Sequence, residues 1–420
     1  MSNVGLGLGG WAGPGFGGLR QPARISHPGG IEERRILVTF TDRGIGRAVA
    51  ANPQDTYRPH GGYGNSGWSL RRAEDLAERY RLRLVAQWPV TALGVSCVVY
   101  EIPGGPTVVP QVLEALKRDG EVESAQPMQT FRAMGQPDVG GDSQADPYRP
   151  LQSGYQGMRI GGAHRFATGK GVRVAVIDTG VDSRHPDLSG QIAVAENLAP
   201  EPPDRDTADI HGTAVAGVLA AEADNGIGIA GVAPGAEVYA LRACWPERPG
   251  VSAALCNSFT LALALNEAIR LEAQVVNMSL TGPEDPLVRK LVEKALEKGL
   301  IVVAAVPAAG KPGGFPANMD GVIAVRNAAA APVPGTLAIP GTDILTTVPH
   351  GAYDFMSGSS FAAPQVTGLV ALLLEIRPGL DGGTARYLLV QNPPPSQSRW
   401  IDACAVLAKL KGVDPAAGCI

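Results

Sequence analysis

Residues 151 to about 410 predict an α/β fold on a buried parallel sheet, and residues 31–134 ahead of them predict a smaller α+β unit. The first prediction rests on continuous apolar strands such as Arg173–Ile177 (RVAVI) and Leu300–Ala305 (LIVVAA), separated by amphipathic helical stretches. A strand apolar on both faces is covered on both faces, and the intervening helices supply the covers. The second rests on element order: strand, helix, strand, strand, helix, strand is the ferredoxin-like pattern.

The α+β unit follows element by element. Arg35–Thr41 (RILVTFT) is rich in β-branched residues and reads as a strand. Ala73, Leu76, Ala77 and Tyr80 recur at helical spacing and predict a helix over Arg71–Tyr80. Leu82–Val85 and Ser96–Ile102 (SCVVYEI) follow as strands. Val109, Val112, Leu113 and Leu116 repeat the helical spacing, and Val122–Phe131 is extended. Residues 135–150 (GQPDVGGDSQADPYRP) are polar without apolar periodicity and mark a linker.

Beyond the linker, strand Val172–Ile177 precedes a helix opening at His211. Then come strand Val238–Leu241, a helix around Phe259–Leu271 and strand Val275–Ser279. A helix over Leu287–Lys298 carries Glu and Lys on a solvated face, and Ile301–Ala305 is a strand. The chain thus divides into a Gly-rich tail (1–30), the α+β unit (31–134), the linker (135–150), the α/β domain (151–412) and a C-terminal tail (413–420).

At 420 residues the chain is long enough for two or three domains with a substantial apolar core. A formal charge of -4 and a pI near 5.9 give no general electrostatic reason to bind nucleic acid or anionic lipid. Leu300–Val306 and Leu369–Leu374 fall short of the ~18 residues a membrane span needs, so no span is expected. The N-terminus lacks a basic n-region, and ten of its first thirty residues are Gly, which reads as a flexible tail rather than a signal peptide.

Cysteines stand at 97, 244, 256, 404 and 419, with no C-x-x-C pair, which argues against structural zinc. Two disulfides are open to them, Cys244 with Cys256 and Cys404 with Cys419, leaving Cys97 over. Buried free thiols are the other reading. Disulfides imply an oxidising compartment, secreted or periplasmic.

Three segments carry chemistry. VAVIDTGVDSRHPDL puts Asp178 at the C-terminal end of a buried strand, the edge where sites assemble in open parallel sheets. HGTAVAGVLAA puts His211 at a helix start, with Gly212 allowing close approach. GSSFAAPQVTGLVALLLE puts Ser360 at the N-terminus of a long apolar helix, with Pro364 in its first turn. A serine hydroxyl is too weak an acid to attack a peptide unaided, so a histidine must take its proton. A buried carboxylate then holds the imidazole's tautomer and stabilises its cation. His185, in the turn RHPDL, reads as packing. No G-x-S-x-G elbow surrounds the serine, which disfavours a lipase-like hydrolase.

In the order Asp, His, Ser these segments resemble the subtilisin family (peptidase S8). The resemblance spans about residues 150–410 and includes GVAP (231–234), VVNMSL (275–280), FPA (315–317) and IPGTDI (339–344). Residues 31–134 resemble the family's inhibitory (I9-like) propeptide by pattern rather than motif. The resemblance implies a three-layer α/β/α fold and an endopeptidase acting through an acyl-enzyme on protein or peptide substrates, with its own propeptide as intramolecular inhibitor. It implies Asp178, His211 and Ser360 as catalytic residues. Ser279, Leu280 and Thr281 would form an edge strand pairing with substrate backbone, Thr281 standing where the family usually has glycine. Ala304, Ala305 and Val306 would line the main specificity pocket. It also implies a structural calcium, held by Asp187 and the loop EADNGIGIAG through Asp224 or Asn225 and the carbonyls of Glu222, Ile227 and Ile229. An Asn-Gly turn ending the His helix is the alternative for that loop.

One departure bears on activity. The family carries AAGNxG after the pocket strand, its Asn donating to the oxyanion; here the run is AAVPAAG, with Pro307 and Ala308 in those places. In subtilisin, losing that donor lowers turnover about 10²–10³-fold. The Ser360 N–H remains, Ser359 offers a hydroxyl, and Asn318 reads as a turn residue. Two readings stay open: an active endopeptidase with a modified oxyanion hole, favoured by the intact triad, and a pseudoprotease serving as a binding or regulatory module. For the first, self-cleavage close to Met134 is expected. The extended VESAQPMQTFRAM would lie in the groove with Met134 in the main pocket and Phe131 three residues upstream.

Overall fold

The computed structural model describes residues 34–42, 66–103, 108–133, 136–138, 148–199, 209–248, 251–307, 314–391 and 400–419. The expected N-terminal tail, Met134 and Ala308 lie outside these residues.

The upstream unit runs β1 (Arg35–Thr41), α1 (Gly67–Arg79), β2 (Arg83–Val90), β3 (Val95–Glu101), α2 (Val109–Lys117), β4 (Ser124–Pro127). Its antiparallel sheet has the order β2-β3-β1-β4, the ferredoxin-like order expected. Alternation along each strand gives the sheet two apolar faces. Ile36, Val38 and Phe40 join Ala73, Leu76 and Leu116 of the helices in one core. Leu37, Cys97 and Val99, on the intervening positions, belong instead to a core shared with the following domain. The first helix starts before the predicted Arg71 because Ser66 caps it, accepting the Ser69 N–H at 3.1 Å.

The chain continues through β5 (Thr130–Ala133), β6 (Gln136–Asp138) and the short helices α3 (Ser153–Gly157) and α4 (Ile160–Ala163). Then come β7 (Arg173–Asp178), β8 (Ile192–Asn197), α5 (Ile210–Ala220), β9 (Glu237–Arg242), β10 (Cys244–Pro246), β11 (Ala254–Asn257) and α6 (Ser258–Arg270). They are followed by β12 (Val275–Met278), β13 (Leu280–Thr281), α7 (Pro286–Glu297), β14 (Ile301–Ala305), β15 (Ile323–Asn327) and β16 (Leu337–Ile339). Last are β17 (Ile344–Val348), β18 (Ala352–Ser357), α8 (Ser359–Ile376), α9 (Gly382–Val390), α10 (Ala403–Leu410) and α11 (Pro415–Gly418).

Seven strands form a parallel sheet in the order β16-β15-β14-β12-β7-β9-β8. Its two faces feed two cores. Val174 and Val176 of β7 pack with α5 and α8, while Ala175 and Ile177 pack with α6 and α7. This is the three-layer α/β/α arrangement. Helix α8 is by length and composition apolar enough to cross a membrane, but 89% of it is buried inside the protein. It is the central helix of one layer, and a helix apolar all round belongs there.

Both expected disulfides form, Cys244–Cys256 and Cys404–Cys419, and Cys97 is a buried thiol. Pro364 is not in the first turn of α8, as the sequence suggested; it is the sixth residue of the helix. Its missing N–H would have met the Ser360 carbonyl, four residues back. That carbonyl accepts the Ser279 hydroxyl instead, at 2.7 Å.

Candidate active site

Asp178 ends β7, and its Oδ1 accepts the Thr179 N–H and the His211 Nδ1–H, each at 2.7 Å. With Nδ1 donating, Nε2 is left as the basic nitrogen, the tautomer a general base needs. His211 is the second residue of α5, and both it and Asp178 are buried. The helix comes this close to the aspartate loop because Gly212 has no side chain. A Cβ there would be driven into the carbonyl oxygen of Gly180. The Gly212 N–H donates to the Thr179 hydroxyl at 3.0 Å, which locks the approach.

Ser360 sits in the first turn of α8, after Gly358 at φ 150°, a conformation that favours glycine. Its Oγ donates to the Ser279 carbonyl at 2.9 Å, while His211 Nε2 is buried with no hydrogen-bond partner among the described residues. The serine is therefore turned toward the β13 side of the site. The His211 ring lies 5.4 Å from that of Phe361. His185 makes a packing contact, its Nε2 meeting the Ala352 carbonyl at 2.9 Å.

Two flanking residues escaped the sequence reading. Asp209, immediately before α5, faces Arg242, which lies opposite Asp178 in the β7–β9 register. Arg242 Nε donates to Asp209 Oδ1 at 3.4 Å, and its Nη1 donates to Asn197 Oδ1 at 2.9 Å. Burial pushes the Asp209 carboxyl up to about 6; the Arg242 guanidinium opposes that rise, and the Asp178 charge adds to it. An Asp so close to a His-start helix reads in sequence as an N-cap, which is why its role was not visible.

The segment expected to pair with substrate is itself paired with an upstream strand of the chain. β5 lies between β11 and β13, antiparallel to both, in a sheet ordered β10-β11-β5-β13. Leu280 pairs with Ala133 and Thr281 with Arg132. Thr281 also accepts the Gly314 N–H at 3.0 Å, and Gly282 bridges to Phe315, so β13 is tied to the segment around Phe315. Of Ala304, Ala305 and Val306, only Val306 lines the neighbouring cavity of about 760 Å³, beside Pro307, Gly314 and Ala317; the two alanines are buried in β14. Asn318 lies in a turn, as expected, its N–H donating to the Gly314 carbonyl at 2.9 Å, and its side chain donates to Glu284 at 2.9 Å. The Ser359 hydroxyl accepts the Asn327 N–H at 3.1 Å.

The side chains among the expected calcium ligands are each engaged with a protein group. Asp187 is saturated by donors: Asn225 Nδ2 at 2.9 Å on Oδ1, and the Ile229 N–H at 2.8 Å and Tyr353 hydroxyl at 2.9 Å on Oδ2. Asn225 Oδ1 accepts the Ile227 N–H at 2.9 Å. Asp224 turns away to Arg149 at 2.6 Å, and the Glu222 backbone N–H donates to the Asp187 carbonyl at 2.8 Å. Calcium needs 6–8 oxygens facing it, whereas here N–H and O–H groups face the one buried carboxylate. No cluster of three or more His, Cys, Asp or Glu able to hold a metal occurs among the described residues. The residues as placed do not fit the ion.

A buried Asp–His couple at the carboxyl edge of a parallel sheet, with a serine opening the central helix of a three-layer α/β/α fold, is the arrangement expected of a serine peptidase. The Subtilase family matches this chain over residues 169–403. The chain is 34% identical over 311 residues to a thermophilic serine proteinase from Bacillus sp. (strain AK1), covering 66% of this chain and 73% of that one. It is 36% identical over 226 residues to subtilisin NAT of Bacillus subtilis subsp. natto, covering 50% of this chain and 57% of that relative's length. In fold it matches fervidolysin from Fervidobacterium pennivorans, a keratinolytic enzyme related to subtilisin, with a TM-score of 0.67. That match is 23% identical and covers 91% of this chain and 62% of the other. The chain belongs to the subtilase family and is a subtilisin-like serine endopeptidase by class.

Proposed function

We propose that the chain is an active endopeptidase made as a zymogen, that Asp178, His211 and Ser360 are its catalytic triad, and that it cuts itself at the end of residues 31–134. One observation carries the reading. On one side of Ser360, β5 pairs with β11 and β13 and ends at Ala133; on the other, β6 pairs with β18, Gln136 opposite Ser357. Ala133 and Gln136 thus end two strands paired to segments close in sequence to Ser279 and Ser360, and Met134 lies between them in sequence, where a scissile residue is expected. Main-chain pairing of this kind is how a groove holds an extended peptide.

In the reaction His211 takes the Ser360 proton at Nε2 as Oγ attacks the carbonyl. Asp178 stabilises the imidazolium, and the proton passes to the leaving amine as the acyl-enzyme forms. Water then hydrolyses the ester with His211 again as base. The Ser360 N–H, at the positive end of α8, stabilises the oxyanion. The missing Asn donor at Ala308 makes this a slower peptidase. The two disulfides support a secreted or periplasmic setting.

Intact-mass measurement of wild type and Ser360→Ala after expression tests the reading. Wild type loses the N-terminal segment near residue 134, while the mutant stays full length. Two full-length masses would remove self-cleavage. If Ser360 of a processed protein also refuses a fluorophosphonate label, the binding-module reading replaces this one.

A further inference from the structure

We infer that the Cys244–Cys256 disulfide is a specificity element, which fixes the strand that reads substrate residues farthest from the scissile bond. This rests on the reading above that β5 marks the substrate path. The two walls of the groove are unequal. β13 pairs only with Arg132 and Ala133, whereas β11 pairs with all four residues from Thr130 to Ala133. Among the described strands, Thr130 and Phe131 therefore pair with β11 and not with β13.

Within its sheet, β11 has one strand neighbour besides β5. On its other side lies only β10, over three pairs: Cys244 with Cys256, Trp245 with Leu255 and Pro246 with Ala254. When the groove is empty, β11 and β10 form a two-stranded ribbon, which is marginally stable without further ties. The cross-link falls at Cys256, the residue opposite Phe131. Both sulfur-bearing residues are buried in the core that also holds Met278, Leu280 and Leu261. The disulfide thus anchors the outer wall to the domain at the point where β13 no longer reaches the peptide. Asn257, the next residue, caps α6 by accepting the Thr260 N–H at 3.0 Å, which fixes the far end.

The double variant Cys244→Ser/Cys256→Ser separates this from a general structural role; Cys244→Ala/Cys256→Val serves if the first does not fold. In full-length protein also carrying Ser360→Ala, hydrogen exchange followed by mass spectrometry reads the groove without catalysis. Backbone amides of residues 130–133 and 254–257 should exchange at least about tenfold faster, with β7 and β12 unchanged. In processed enzyme, kcat/KM for a nitroanilide of Thr-Phe-Arg-Ala-Met should fall about tenfold through KM. The Ala-Met nitroanilide should stay within about twofold. Equal losses on both substrates, no loss on either, or unchanged exchange in β5 would each overturn the inference. Failure of the endopeptidase reading is distinguishable, because wild type would then hydrolyse neither substrate.

Discussion

Gly212 stands against the carbonyl of Gly180, with no room between them for a side-chain carbon. This contact sets how deeply the histidine helix docks onto the aspartate loop, and so sets the Asp178–His211 hydrogen bond. Gly212→Ala must push the two apart. A misplacement near 1 Å lowers rates about 10²-fold, so kcat/KM should fall by that order while the protein remains folded. Peptidase assays beside a melting curve check it; wild-type turnover would show that the helix has slack.

Ser360→Ala, His211→Ala and Asp178→Ala should each nearly abolish casein hydrolysis, and the double mutants should be no worse than the worst single. Triad members act as one unit, so losses do not add. A Ser360→Ala protein that cleaves casein at the wild-type rate would sink the assignment.

Asp209 gives a pH dependence. Its ordinary value is 3.8, and burial raises it to about 6 in the folded state. Between these values the folded protein holds a proton that the unfolded chain has released, so this group's contribution to stability falls as pH rises through the window. Asn cannot ionise. In a Ser360→Ala background, Asp209→Asn should gain stability relative to Asp209 as pH is raised from about 4 to 7, then level off. At about 1.4 kcal/mol per pH unit the gain is on the order of 3 kcal/mol. Urea titrations at stepped pH measure it, and a difference independent of pH would refute the assignment.

Thr281 ties the end of β13 to the segment at Gly314 by accepting its N–H. Thr281→Ala should lower stability by about 1 kcal/mol and Thr281→Ser by much less, since the serine keeps the acceptor. Denaturant melts of both variants decide it; equal losses would point to the methyl group instead.

Excess chelator, or added calcium, should leave the melting temperature unchanged, because Asp187 is already satisfied by Asn225, Ile229 and Tyr353. An ion bound only to the folded state would raise it through linkage. A chelator-sensitive melt would show that the loop rearranges to admit the metal.

Much of this protein is written locally. Asp178, His211 and Ser360 each sit in a short segment whose own pattern, a strand end or a helix start, places the side chain. The runs around Val174 and Val302 announce a buried parallel sheet because every residue is apolar. The upstream βαββαβ unit was legible from the β-branched content of β1 and the helical spacing of apolar residues in α1 and α2. Other features depend on residues distant in sequence. β13 has two residues and β11 four, too few for a period to show. Arg242 meets Asp209 only because β9 lies beside β7. Asp187 matched a calcium ligand by its neighbours in sequence, but Tyr353, 166 residues away, supplies a hydroxyl that faces it. Pro364 looked like a first-turn residue until the helix start at Ser359 put its missing N–H against the Ser360 carbonyl. Sequence by itself singled out Asp178, His211 and Ser360 as the candidate reacting groups, since their chemistry and local backbone travel together. Tertiary structure alone decided what surrounds them, because burial and partner choice are properties of the packed chain.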